Sequence, residues 1–84
     1  MENNFLSFDF AAPFRLNHLR YATVTQFIIA QKAYIFDDGK LESILLEKNP
    51  QVNRAQELLI ENVDEEVWER EKEGIVFAGC FASF

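Results

Sequence analysis

The chain has little of what most catalytic and binding chemistries require. It carries one cysteine, Cys80, and one histidine, His18, among 84 residues. That inventory rules out a disulfide framework within the chain, the Cys-x-x-Cys motif and the His-Glu-x-x-His metal motif. The three glycines, Gly39, Gly74 and Gly79, are scattered, so there is no glycine-rich phosphate loop. Basic residues are also scarce, eight Lys and Arg against fourteen Asp and Glu, for a net charge of −6. Nucleic-acid binding draws most of its affinity from Lys and Arg on phosphates, so DNA, RNA and anionic membrane are poor partners. No apolar run approaches the roughly 20 residues needed to span a bilayer; Phe27 to Ala30 is soon broken by Gln31 and Lys32. The first thirty residues lack the basic and apolar regions of a secretory signal. The expectation is a cytoplasmic protein with no metal, no cofactor, no nucleic acid and no membrane among its partners.

What is there is aromatic and acidic. Nine Phe, two Tyr and one Trp supply the core of a single domain, residues 1–84, close to the size at which one core becomes marginal. Such a core is left exposed if a packing layer is missing, which makes self-association or a protein partner an expectation. Residues 43–84 hold nine Asp and Glu against four Lys and Arg, whereas residues 1–42 hold five against four. The acidic run from Glu61 to Glu73 is either a solvated helix face or a surface for a basic partner.

Pattern and capping signals predict an α+β, mostly helical fold: a short N-terminal β-hairpin followed by about four helices. Phe14, Leu16, Leu19 and Tyr21 flank Asn17-His18, which suits two short strands and a tight turn. Thr23-Val24-Thr25-Gln26 has the form of a capping box and should open a helix. Val24, Phe27, Ile28, Gln31, Tyr34 and Ile35 would form its inward face, up to the stop at Asp37-Asp38-Gly39. A shorter helix, about Leu41 to Lys48, should turn Leu41, Ile44 and Leu45 inward. Asn49-Pro50 marks a third start, with Val52, Ala55 and Leu59 facing the core. Asp64-Glu65-Glu66 opens the last helix, capped by Asp64 or Asn62. Val67, Trp68, Glu71, Ile75, Ala78 and Phe81 would continue its stripe, and Gly74 and Gly79 would weaken it near the C-terminus.

Few residues stand out as chemistry. His18 sits at a turn, where an exposed polar role suffices, and Cys80 lies among Phe77, Ala78 and Phe81 as a small hydrophobe. Asp37 and Asp38 could form a carboxylate pair, although adjacent acids before a glycine also make a turn. Lys32 lies beside the apolar helical face. Either it meets an anion there, or its stem snorkels along apolar neighbours.

The run from Phe14 to Val24, followed by Ala30-Gln31-Lys32-Ala33, resembles the NADAR (YbiA-like) N-glycosidase family. Its pattern is roughly P-F, then a glycine, then Y-x-T-V-E-H-x-F-Q-A-x-K-A. Phe5-Leu6-Ser7 and Pro13-Phe14 are similar to the family's opening, Asp64 to Trp68 to its D-x-x-x-W helix, and Phe84 to part of a Lys-Phe pair. The likeness runs nearly end to end, yet covers about the first half of a family domain.

The resemblance implies cleavage of N-glycosidic bonds in ribosyl-phosphate or ADP-ribosyl substrates wherever the working residues survive. Here Thr25 stands where the family has its glutamate, Gln26 replaces the adjacent histidine, and Ile29 the glutamine of F-Q-A. Phe8 stands for an asparagine, Glu57-Leu58 for a Gly-Arg pair, Lys72 for an arginine and Ser83 for a lysine. Tyr21, Thr23, Val24, Ala30, Lys32, Ala33, Pro50, Asp64, Trp68 and Phe84 remain. A hydroxyl is a poor base at neutral pH, so the general-base contribution is lost. The expectation is a non-catalytic binding protein on a reduced scaffold with no catalytic residue, whose small acidic form suits a viral or mobile-element protein aimed at a host factor. A second expectation is a pseudoenzyme in which Lys32, Arg15 and Arg20, with Tyr21 and Thr25, hold an ADP-ribose or ribosyl-phosphate ligand. A third is residual glycosidase activity from a relocated carboxylate such as Asp37 or Asp38, or from a site completed by a second chain.

Overall fold

The computed structural model describes residues 8, 9 and 11–83; the sequence signals at Phe5-Leu6-Ser7 and Phe84 lie outside them. The fold is α+β and mostly helical, a two-stranded antiparallel hairpin followed by four α-helices. Strand β1, Phe14–Leu16, pairs with β2, Leu19–Tyr21, in the register Phe14 to Tyr21, Arg15 to Arg20 and Leu16 to Leu19. Asn17 and His18 both take positive φ, 53° and 70°, the left-handed pair that a two-residue turn needs to match strand twist.

Helix α1, Val24–Phe36, begins where the capping box predicts. Gln26 N–H donates to Thr23 Oγ1 at 3.0 Å. The Gln26 side chain reaches one residue further back than the box requires, its Oε1 accepting from Ala22 N–H at 2.7 Å. After a single 3₁₀ turn at Asp38–Lys40 come α2, Leu41–Leu46, and α3, Pro50–Glu57, the latter capped by Asn49 Oδ1 on Gln51 N–H at 2.9 Å. The last helix, α4, is Glu65–Ala82, and Asp64 is its cap, accepting from Glu66 and Val67 N–H.

Helix α1 is the hub: α2, α3 and α4 all pack against it. That explains where the expected inward faces differ. A hub helix is covered on more than one side, so Thr25, Gln26, Ile29, Ala30 and Ala33 are buried together with Val24 and Phe27, while Tyr34 and Ile35, near its end, are exposed. In α3 the inward residue is the polar Asn53, and Val52, Ala55 and Leu59 are exposed. In α4, Trp68 and Gly79 are buried, whereas Glu71 and Phe81 face outward. Gly74 and Gly79 do not end α4. A Cβ at Gly79 would fall 2.7 Å from Phe27 Cδ2, so the missing side chain is what lets α4 lie close to α1.

The core joins Tyr21, Phe27, Ile29, Ala30, Ala33, Ile44 and Ile60. Phe14, Tyr21 and Phe27 form one aromatic cluster with ring centroids 5.0 to 5.9 Å apart, fastening the hairpin to the start of α1. Among the described residues no helix is long and apolar enough to cross a membrane.

Candidate functional site

A polar hub lies beneath a surface cleft. Gln26, 1% exposed, directs its Nε2 at the carbonyls of Ile44, Leu45 and Glu47 at 3.0, 3.1 and 2.6 Å. These are carbonyls at the end of α2, a helix of only six residues whose terminal acceptors find few partners within the helix. Asn53, fully buried, adds Nδ2 contacts to Ile44 and Glu47 carbonyls and to Gln56 Oε1. Its own Oδ1 has no partner among the described residues. The glutamine that stands where the resemblance expects a histidine is thus committed to holding α1, α2 and α3 together.

Above that hub a cleft of about 270 Å³ opens between the hairpin, the start of α1 and the end of α2, lined by Pro13, Arg20, Tyr21, Ala22, Gln26, Leu45 and Lys48. Arg20 and Lys48 bring two cations to it, and Arg15 lies directly across the strand pair from Arg20. Like charges opposite each other on a hairpin repel. Among the described residues neither Arg15, Arg20 nor Lys48 has a carboxylate within 4.0 Å. Burial pushes the Tyr21 phenol upward, against an opposing hydrogen bond from Gln31, so Tyr21 is a neutral wall.

Of the five residues expected to bind ligand, Arg20 and Tyr21 meet at this cleft. Arg15 is exposed on the neighbouring strand. Lys32 is elsewhere, its Nζ 2.9 Å from Glu57 Oε2 and 5.1 Å from the centre of the Trp68 ring. The anion it meets is an internal one. Thr25 is buried and donates through Oγ1 to Asp9 Oδ1, while its N–H bonds the Phe8 carbonyl at 2.9 Å. Asp9 in turn takes both its oxygens to Arg54. Burial alone would raise the Asp9 carboxyl, but hydrogen bonds from Arg54 and Thr25 and the Arg54 charge outweigh it and hold it below its ordinary value.

Lys48 is the cleft residue that pattern reading passes over, because nothing local marks a lysine after a short helix as facing a distant hairpin. Asp37 is held below its ordinary pKa by hydrogen bonds from Lys40 and from Glu61 N–H. That is the opposite direction from a carboxyl tuned to act as an acid. Asp38 is exposed in the 3₁₀ turn. His18 is exposed at the hairpin turn and Cys80 is a half-buried free thiol. No group of three His, Cys, Asp or Glu able to hold a metal ion occurs among the described residues.

A second surface lies on α4. Phe77 and Phe81 are 71% and 73% exposed and stack on each other with centroids 6.1 Å apart. Leu46, Leu58, Leu59 and Tyr34 are also largely exposed, away from α4. No protein-family model matches the chain, and no curated protein is significantly similar to it.

Proposed function

We propose that this chain is a non-catalytic binding protein on a reduced NADAR-like scaffold, acting through protein–protein contacts as an inhibitor, decoy or assembly component in the cytoplasm. The observation that carries this reading is the stacked, solvent-facing pair Phe77 and Phe81 on α4. Exposed contiguous aromatic surface marks an interface more often than chance decoration. The commitments of Thr25 to Asp9, Gln26 to the α2 carbonyls and Asp37 to Lys40 support a scaffold whose polar groups serve folding rather than catalysis. A photo-crosslinking residue placed at Phe77 tests this in cells, with one at the exposed Glu69 as control. Capture of one defined protein, this chain or another, from Phe77 alone is the expected result. Diffuse or absent products at both positions would sink the reading.

The cleft favours a second reading, a pseudoenzyme that holds an ADP-ribose or ribosyl-phosphate ligand. Its support is the meeting of Arg20, Tyr21 and Lys48 around about 270 Å³. Calorimetric titration with ADP-ribose should then give heat that Arg20→Ala removes and Lys32→Ala leaves. No heat from the unaltered chain would end it. Assay of base release from ribosyl nucleotides tests for residual glycosidase activity in the same samples.

A further inference from the structure

The cleft between the hairpin and the end of α2 is defined by which of its polar groups are already spent. Ala22 N–H donates to Gln26 Oε1, and Gln26 Nε2 is shared among the Ile44, Leu45 and Glu47 carbonyls. Those carbonyls end a helix and would repel an anion if they stood open; the Gln26 amide covers them. The Glu47 carboxylate, next to Lys48 in sequence, is turned onto the Asn49 N–H at 3.0 Å. The Tyr21 hydroxyl takes a hydrogen bond from Gln31. What remains for a ligand is two exposed cations at the rim, Arg20 and Lys48, and an apolar wall made by Pro13, Tyr21 and Leu45.

We propose that this cleft binds an aryl phosphate monoester, the phosphoryl group between Arg20 and Lys48 and the ring against Pro13, Tyr21 and Leu45. This rests on the cleft as a ligand site, the second reading above, and replaces the sugar of that ligand by a ring.

Charge selects the phosphoryl group. A monoester carries close to two negative charges at pH 7, which two cations match, while a carboxylate brings one. The guanidinium fork of Arg20 suits phosphate oxygens in pairs, and Lys48 adds a point charge. Arg15, directly across the strand pair, repels Arg20, and an anion at Arg20 relieves that repulsion. The two cations come from β2 and from the residues after α2, so one phosphoryl group also ties the hairpin to α2.

The spent donors and the size select the body. A sugar seated here would bury hydroxyls that find no open partner, which is penalised, whereas a ring loses nothing. The cleft's volume of about 270 Å³ lies just under the roughly 300 to 1,000 Å³ of pockets that enclose drug-sized ligands. It suits a phosphoryl group and one ring, and the two riboses, two phosphates and adenine of ADP-ribose exceed it. A flat ring is also rigid, so little conformational entropy is lost on entry.

Amide-resolved NMR titration of the full chain with phenyl phosphate tests this, because one spectrum reports binding, its location and the integrity of the fold. Shifts should centre on Tyr21, Ala22 and Lys48, with dissociation in the high micromolar to millimolar range. Phenyl phosphate should bind about tenfold more tightly than inorganic phosphate, and more tightly than benzoate, ribose 5-phosphate or ADP-ribose. Arg20→Ala and Lys48→Ala should each weaken it about tenfold. Pro13→Ala should weaken phenyl phosphate and leave inorganic phosphate unchanged, and Arg70→Ala, at an exposed position on α4, should change neither. End-blocked phosphotyrosine separates two sources of the ester: tighter binding than phenyl phosphate assigns it to a modified side chain, equal or weaker binding to a free small molecule. Shifts centred elsewhere, indifference to both cation variants, or phenyl phosphate no tighter than inorganic phosphate overturns the proposal. ADP-ribose moving the cleft amides where phenyl phosphate does not overturns it and keeps the second reading; if neither moves them, both fall.

Discussion

Gln26 shows how one side chain can replace a good deal of backbone regularity. Its amide closes the capping of α1 at Ala22 and the fraying end of α2 at Ile44, Leu45 and Glu47. Gln26→Leu keeps the volume and removes every one of those bonds, leaving buried carbonyls that cost about 1 to 3 kcal/mol when unsatisfied. Urea denaturation should report a loss of at least about 2 kcal/mol; a loss below about 0.5 kcal/mol would show that solvent satisfies those carbonyls instead. Lys32 is a second case where identity is plain and role is not. Its placement beside the apolar face of α1 announces a half-buried cation, but the partner, Glu57, lies 25 positions away on α3. No spacing rule connects them.

The same limit operates at the scale of elements. Three of the four helix starts are legible because caps are local: Thr23, Asn49 and Asp64 each bond amides two or three residues ahead, whereas α2 follows the 3₁₀ turn with no side-chain cap. Inward faces are legible where apolar side chains alone fill the contact, as with Ile44 in α2 and Ile75 and Ala78 in α4. Asn53 outweighs Val52 and Ala55 in α3 because the space beneath it is filled by α2 carbonyls, which reward an amide and not a methyl. Of the candidate site, Arg20 and Tyr21 were readable from the hairpin, and Lys48 was not, since the cleft exists only once α2 has folded back on β2.

The two glycines of α4 make a matched test at this scale. Gly74→Ala meets nothing within 4 Å and should stabilise by about 0.5 to 1 kcal/mol through helix propensity. Gly79→Ala gains the same propensity but drives a methyl into Phe27 and Val24, an overpacking that costs about 1 to 3 kcal/mol. Thermal unfolding should therefore move in opposite directions for the two variants, and a Gly79→Ala protein more stable than its parent would refute the close packing.

The joint between α1 and α2 also sets a pH response. Asp37 accepts from Lys40 Nζ at 2.8 Å and from Glu61 N–H at 3.0 Å, and its folded pKa lies below the ordinary 3.8, as does that of Asp9. The unfolded chain thus binds more protons than the folded one in this range. The contribution is present above about pH 4 and disappears as pH falls through the folded values. Lys40 is raised above 10.5, first by its hydrogen bond to Asp37, so its share persists below that pH and is lost as pH rises through the folded value. Urea midpoints measured from neutral to acid pH should drop below about pH 4, and less steeply for Asp37→Asn. Identical profiles would remove Asp37 from the account.

At the scale of the whole molecule, α4 stands apart in dividing charge from apolar surface, its charged residues lying from Glu65 to Glu73 and its exposed Phe77 and Phe81 beyond them. The net −6 makes two copies of the chain repel at long range, whereas apolar contact through exposed rings such as Phe77 and Phe81 carries no charge. Added salt screens the first and leaves the second. Where the partner at Phe77 and Phe81 is a second copy, association should therefore strengthen when sodium chloride is raised from about 50 to about 500 mM, as read by sedimentation. ADP-ribose held by Arg20 and Lys48 should respond in the reverse sense, its calorimetric affinity falling over the same range. A molecule that does neither has lost both surfaces as working interfaces.

Helix α1 touches each of the other three helices, and that arrangement orders the ways in which the molecule can come apart. An outer helix can detach while its fellows keep their seat on α1, but the amides from Phe27 to Ala33 reach water only when several neighbours leave together. Native-state hydrogen exchange should find its slowest protons there, with free energies equal to that of global unfolding. Exchange in α2, too short to persist alone, should track the opening of the Gln26 amide. The chain then has a fixed order of disassembly, with its periphery able to rearrange around a partner while the hub keeps the record of the fold.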